Sequence, residues 1–305
     1  MLSIIALTKG DDVRLMILAA SVVVLLAAFG EAKAKEMEKA DKSQYTLFNP
    51  TPVFLMRPFT TDRPHFTESP FSIDAGHVLI ETGLFGYALA RPDLEGTITE
   101  DFLVVDTNFR IGVTNSAEID LILLPYGVVN TRPFGQSAAF RNSGIGRAQI
   151  RAKINLWGDD SYGEPGSTAF ALLPFVSLPT VRTNGVSPTH VEGGLLGFFG
   201  VKLSDIFELE LNDGVLYLRD DLASTHHAEF LTTANLEVEW TETFGTYHEV
   251  VAQLGRTDPL GDIVFFGNGG TYRLSENLQL DAGVNIGVTP AAPRINPFVG
   301  ISARF

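Results

Sequence analysis

Residues 147–156, RAQIRAKINL, alternate without an error between polar or charged residues and apolar ones. Side chains switch face at every residue of a strand, so Arg147, Gln149, Arg151, Lys153 and Asn155 share one face. Ala148, Ile150, Ala152, Ile154 and Leu156 share the other. A soluble sandwich with one wet face makes the same pattern. Here, however, about a dozen such segments follow an export leader and end on an aromatic residue. That combination predicts a barrel in a bacterial outer membrane, with its apolar face toward lipid and its polar face toward the lumen.

The leader sets the compartment. Lys9 and Arg14 precede an apolar run from Leu15 to Phe29, followed by Gly30-Glu31-Ala32-Lys33-Ala34. A charged n-region, an apolar h-region and an A-x-A site predict cleavage after Ala34. The run is shorter than the roughly 20 apolar residues of a membrane-spanning helix. Cysteine is absent, which excludes a lipid-modified N-terminal Cys and structural disulfides. The leader's acids and bases balance, so the mature chain keeps the net charge of −14. Such acidity argues against a nucleic-acid partner. The 29 glycines, 22 phenylalanines and abundant β-branched residues suit strands, tight turns and interfacial aromatic girdles.

The mature chain divides in two. Residues 35–76 open on the charged run KEMEKADKS and continue with Pro50, Pro52, Pro58, Pro64 and Pro70. Each proline lacks a ladder donor, so this segment is no central strand. It reads as a periplasmic N-terminal extension. Phe54, Leu55, Phe59, Phe66 and Phe71 make residues 50–76 too apolar for a solvated tail. The expectation is a partial plug in the periplasmic mouth, with Arg57, Asp62, Arg63 and Glu68 paired to lumenal charges.

From residue 77 to the C-terminus the pattern predicts twelve strands, at 77–88, 102–113, 117–129, 146–157, 167–180, 191–203, 206–218, 228–240, 244–256, 263–274, 278–288 and 296–305. Crossing a bilayer at a tilt takes about 9–11 residues per strand. Short links at Thr114-Asn115-Ser116, Ser204-Asp205, Thr241-Glu242-Thr243 and Ser275-Glu276-Asn277 alternate with longer ones at 89–101, 130–145, 181–190, 219–227, 257–262 and 289–295. Short periplasmic turns and long extracellular loops are the outer-membrane asymmetry, with 158–166 as an exception. The last strand, PFVGISARF, puts Val299, Ile301, Ala303 and Phe305 on one face. A terminal aromatic there is similar to the signal that barrel-assembly machinery reads, which makes Phe305 the candidate assembly signal. The fold class is therefore all-β, a 12-stranded antiparallel transmembrane β-barrel with a proline-rich N-terminal extension.

Residues 61–82, TDRPHFTESPFSIDAGHVLIET, resemble the opening signature of the outer-membrane transporter family grouped under the meta-pathway of phenol degradation. The matching positions are Arg63, Pro64, His65, Phe66, Thr67, Glu68, Ser69, Pro70, Gly76, His77, Glu81 and Thr82. SGIGRAQIRAKINL, ALLPFVSLPT and LSENLQLDAGVNIGV, with the terminal SARF, also match. The resemblance implies a barrel with a transport role. The family name reflects the operon context of a few members and does not imply phenol as substrate.

Catalysis has little support. With no Cys, a hydrolase needs Ser or Thr with His, or an Asp–His pair activating water. His248 falls on the predicted lipid face beside Thr246, without a nucleophile motif around it. Asp220, Asp221, His226 and His227 crowd one predicted extracellular loop, where adjacent histidines without a third spaced ligand make a weak metal signal. No enzyme activity, cofactor or metal is expected.

Alternation places Arg110, Arg147, Arg151 and Lys153 inward on the second and fourth strands. It places Glu208, Glu210, Glu229, Glu237, Glu239 and Glu249 inward on the seventh to ninth. In a closed ring a basic wall then faces an acidic one across a pore. The alternative is one paired network filling a closed lumen. Glu118 and Asp120 would be neutralised by cross-strand neighbours. The leading expectation is an outer-membrane channel for passive uptake of a small polar or aromatic molecule, its partners being membrane lipid, the assembly machinery and the solute. A closed structural barrel is the alternative, because twelve strands lie between about eight, which fill, and sixteen, which leave a channel.

Overall fold

The computed structural model describes residues 41–137, 140–181, 186–220 and 225–305. The expected leader, residues 1–34, lies outside the described residues. One antiparallel sheet contains β1 (Val78–Leu89), β2 (Thr97–Thr114), β3 (Ala117–Leu123), β4 (Tyr126–Pro133), β5 (Phe140–Gly144), β6 (Ala148–Trp157) and β7 (Thr168–Leu178). It continues through β8 (Glu192–Lys202), β9 (Phe207–Arg219), β10 (His226–Glu239), β11 (Phe244–Leu254), β12 (Ile263–Ser275), β13 (Leu278–Gly287) and β14 (Asn296–Arg304). β1 pairs with β14 on one side and β2 on the other, which closes the sheet into a barrel.

Two staves of the barrel are broken, so fourteen segments make a twelve-stranded ring. β3 pairs with Thr107–Thr114 of β2, whereas β4 pairs with Thr97–Val104 of the same strand. The break at Leu124-Pro125 follows from a proline that has no N–H for the ladder. β5 and β6 flank the matching break at residues 145–147, where Thr180 Oγ1 donates to the Gly146 carbonyl. Two boundaries therefore differ from the sequence reading. β2 begins at Thr97 rather than at 102, and the expected loop 130–145 contains a β4–β5 hairpin. The extra length of β2 is held on both edges, by β1 and by β4.

The barrel is an inverted globule. Ile119, Ile150, Ile154, Leu156, Val250, Leu280 and Val299 are exposed on its outer surface, while Arg110, Lys153, Glu118, Asp120, Asn212 and Ser302 are buried. Phe207, Trp240, Phe244, Tyr272 and Phe305 are exposed around the short-turn rim, as an interfacial girdle requires. At that rim Val78 N–H donates to the Phe305 carbonyl at 3.1 Å, and Phe305 N–H returns a bond to Val78 at 2.8 Å.

Candidate functional site

Residues 41–76 enter at the short-turn end and pack against inward-facing side chains. Leu47 N–H donates to the Val113 carbonyl and Gly76 N–H to the Gly112 carbonyl. Proline keeps this segment from making a ladder of its own, and only Val53–Leu55 forms a turn of 3-10 helix. Buried irregular backbone must find partners elsewhere. The barrel wall supplies them. Asp62 N–H donates to Glu81 at 2.9 Å, Ile73 N–H to Glu118 at 2.5 Å, and Phe66 and Thr67 N–H to Glu249 at 3.0 and 3.2 Å. In the other direction, Asn155 donates to the Pro70 carbonyl at 2.9 Å and Arg110 to the Phe71 carbonyl at 2.8 Å.

An ionic centre lies where the extension meets β1, β2, β3 and β6. The Asp62 carboxylate accepts from Lys153 Nζ at 2.7 and 2.8 Å and lies 3.1 Å from Arg110 Nη1. Arg110 also donates to Glu118 at 2.9 Å and Glu81 at 3.1 Å. Arg151 binds Glu68 through both terminal nitrogens and donates to Asp120 at 3.2 Å. Burial by itself would raise the Asp62 carboxyl, but Arg110, Lys153 and Arg151 outweigh it and hold this group well below the usual carboxylate range. Direct contact between opposite charges is what makes such burial tolerable.

Three further anchors surround this centre. Arg63 makes a two-nitrogen contact with Asp281 on β13, at 2.7 and 3.1 Å, and lies over the Phe298 ring. His65 Nε2 is 2.6 Å from Glu237 on β10. Burial disfavours its charged form, yet Glu237, Glu210 and Glu249 together raise its pKa to about 10. Arg57 lies 2.7 Å from Asp159, which also accepts from Ser72. Burial pushes Asp159 up to about 6, against the pull of Arg57.

Gly112 and Gly300 give the extension room. A Cβ at Gly112 would lie 2.2 Å from the Asp74 carbonyl oxygen, and one at Gly300 would lie 2.2 Å from the Arg63 guanidinium. Between the extension and the β9–β12 wall remains a cavity of about 340 Å³ at the short-turn end, lined in part by Arg57, Phe59, Glu208, Glu237, Glu239 and Arg273.

The two walls expected to face each other across a pore are thus each engaged by the extension. Arg110, Arg151 and Lys153 take its carboxylates, and Glu210, Glu237 and Glu249 take its imidazole and amides. Glu208 and Glu239 share Lys202, at 3.9 and 3.1 Å. Two candidates lie elsewhere: half-exposed Arg147 pairs with Asp106 at 2.7 Å, and Glu229 pairs with His227 at 2.7 Å. Asp281 and Asp159 were not singled out in the sequence. For Asp281 the signal was present, since LQLDAGV puts it opposite the exposed Leu280.

The histidines weighed for catalysis fall apart. His248 is exposed on the outer face, 2.8 Å from Asn268, and His226 stacks on Tyr217. Asp221 lies outside the described residues.

A second inward region is apolar. Ala171 and Leu173 of β7 and Leu196 and Phe198 of β8 are buried together, with Phe175, Leu216 and Leu231 against them. Lys153 Nζ lies 5.3 Å from the Phe198 ring centroid, which joins this patch to the ionic centre.

Comparison with solved structures agrees with the architecture. The COG4313 outer-membrane channel from Pseudomonas putida F1 superposes with a TM-score of 0.57 at 9% identity, over 75% of this chain and 95% of that one. The CymD monoaromatic hydrocarbon channel gives 0.38 at 8% identity, over 75% and 87%. The P. putida toluene transporter TodX gives 0.32 at 11%, over 75% and 89%. No curated protein matches the sequence. The fold is that of an outer-membrane β-barrel. The sequence profile described as "Putative MetA-pathway of phenol degradation" matches residues 61–305, and the chain belongs to that family.

Proposed function

We propose that this protein is an outer-membrane channel for passive uptake of a small aromatic molecule, with residues 50–76 as a plug that must shift for conduction. The observation that carries this reading is the apolar cluster of Ala171, Leu173, Leu196 and Phe198 beside the charged centre of the inner wall. These side chains are buried in this structure, and movement of the plug would uncover them; an apolar ring loses little by leaving water for such a surface, whereas a sugar loses its hydrogen bonds. The comparison channels named for monoaromatic hydrocarbons and toluene suit the same solute class. Residues 1–34 act as a cleaved signal peptide, 35–76 as the periplasmic extension and 77–305 as the barrel. Phe305 presents the last strand to the assembly machinery.

The second reading, a closed structural barrel, is favoured by the density of ion pairs around Asp62. Uptake by proteoliposomes separates the two. Toluene or a phenol should enter faster with the protein than without it, and a disaccharide should not. Equal entry of the aromatic with and without protein would overturn the channel reading.

A further inference from the structure

We propose that His65, Glu210 and Glu237 form a binding site for one divalent transition-metal cation of the zinc class, which pins the plug to the barrel wall. The three ligand atoms come from three separate places, the extension, β9 and β10, and lie within 4.8 Å of one another. His65 Nε2 is 2.6 Å from Glu237 and 3.8 Å from Glu210. Four-coordinate zinc holds N and O ligands about 2.0–2.2 Å away, and so roughly 3.3–3.5 Å from each other. The observed separations bracket that spacing, and a side-chain shift of under about 1 Å reaches it.

The imidazole is already oriented for this role. Its Nδ1 contacts the Thr67 carbonyl, which can only accept, so Nδ1 carries the proton and Nε2 faces the two carboxylates. A backbone carbonyl behind a ligating histidine is the usual way its tautomer is fixed. The Tyr247 ring packs edge-on at 5.3 Å and limits its rotation.

Asn235 is fully buried beside the cluster and donates Nδ2 to Glu210 at 3.3 Å, which helps to hold that carboxylate in place. The charges agree. Glu249 is occupied by Phe66 and Thr67, and Glu208 and Glu239 share Lys202, which leaves two carboxylates on one imidazole. A proton or a metal ion must lie between Nε2 and those carboxylates. One nitrogen and two carboxylates suit zinc, cobalt or nickel better than calcium or magnesium.

The site requires residues 56–74 to lie inside the barrel but does not require the barrel to conduct, so its test reads metal rather than flux. The full mature chain, in detergent and stripped with chelator, is titrated with Co2+ and then Zn2+. We expect one Co2+ per chain with visible d–d absorption, displaced by Zn2+, and at least about tenfold weaker binding in His65→Gln and Glu237→Gln. His227→Gln breaks the separate His227–Glu229 pair and should bind as the parent does. Zn2+ should also slow protease removal of residues 50–70 in the parent and not in His65→Gln. The site is overturned if no stoichiometric Co2+ binds, if both ligand variants keep parental affinity, or if His227→Gln loses it. Binding without protection would overturn the pinning role. Should His65→Gln fail to fold, as heat-modifiable gel mobility would show, Glu237→Gln carries the test alone.

Discussion

The Asp62 carboxylate accepts a 2.7 Å hydrogen bond from Lys153 Nζ across a sequence separation of 91 residues. Arg110 closes on the same carboxylate from β2 at 3.1 Å. One extension residue thereby satisfies two buried cations. Asp62→Asn removes the charge that Lys153 and Arg110 share while Glu81 and Glu118 stay with them, so the loss of a charged hydrogen bond, about 1.5–3 kcal/mol, falls on the bound state of the plug. The variant should lose residues 50–70 to protease much faster than the parent and show higher single-channel conductance, with the barrel still heat-modifiable. Parental protease resistance would mean that Asp62 does not hold the plug.

Two carboxyls give plug retention a pH dependence of opposite signs. Asp62 is held below its free-chain value, so its contribution is present above about pH 3.8 and is lost as pH falls through its lower bound-state value. Asp159 is raised to about 6, so its contribution is fully present below about 3.8 and is lost as pH rises through 6. Arg110, Lys153 and Arg151 face the first group, together with Glu81, Glu118 and Asp120. Arg57 and Ser72 face the second. Protease protection should rise modestly from pH 7.5 to 5 and collapse below about 3.5. Asp159→Asn should reduce the rise, to which His65 with its pKa near 10 also contributes, and keep the collapse.

The wall glycines should rank by what a methyl group meets. Gly112→Ala strikes the backbone carbonyls of Asp74 and Ile73, at 2.2 and 2.6 Å, which cannot move alone. Gly300→Ala strikes the end of the Arg63 side chain at 2.2 Å, which can swing away. Overpacking typically costs about 1–3 kcal/mol, so Gly112→Ala should release the plug more than Gly300→Ala. Rates of limited proteolysis check the order.

Acidic residues line the cavity between the plug and the β9–β12 wall, so an open state should favour cations. Glu237→Gln with Glu239→Gln should lower the cation preference, read as a shift of reversal potential in a salt gradient. Ile150→Val, on the outer face, should leave it unchanged. Anion preference insensitive to the double substitution would contradict this picture.

Replacing apolar lumenal side chains should separate solute classes. Phe198→Ser puts a hydroxyl where Ala171, Leu173 and Leu196 present only hydrocarbon. Aromatic uptake into proteoliposomes should fall severalfold while potassium conductance stays near the parental value. Equal loss of both would point to a packing defect.

Much of the architecture could be read from residue order, because a period of two is a local property. RAQIRAKINL became β6 with Arg151 and Lys153 inward and Ile150 and Ile154 outward. The break at Leu124-Pro125 was less visible, although Pro125 offered a warning, because both flanks keep strand composition. For the plug, charge sign alone marked Asp62 and Glu68 as candidates for lumenal partners. The match of Arg63 to Asp281 joins residues 218 apart and depends on the closed ring, which no local pattern encodes.

Neighbouring residues 62 and 63 reach to opposite sides of the barrel's closing junction. Asp62 holds Arg110 on β2, its backbone N–H holds Glu81 on β1, and Arg63 holds Asp281 on β13. Between β13 and β1 lies β14, joined to β1 through Phe305 and Val78. A nascent barrel that has not yet joined its two ends cannot offer both sets of partners at one spacing. The dipeptide can therefore engage all three partners only once the two ends of the sheet are paired.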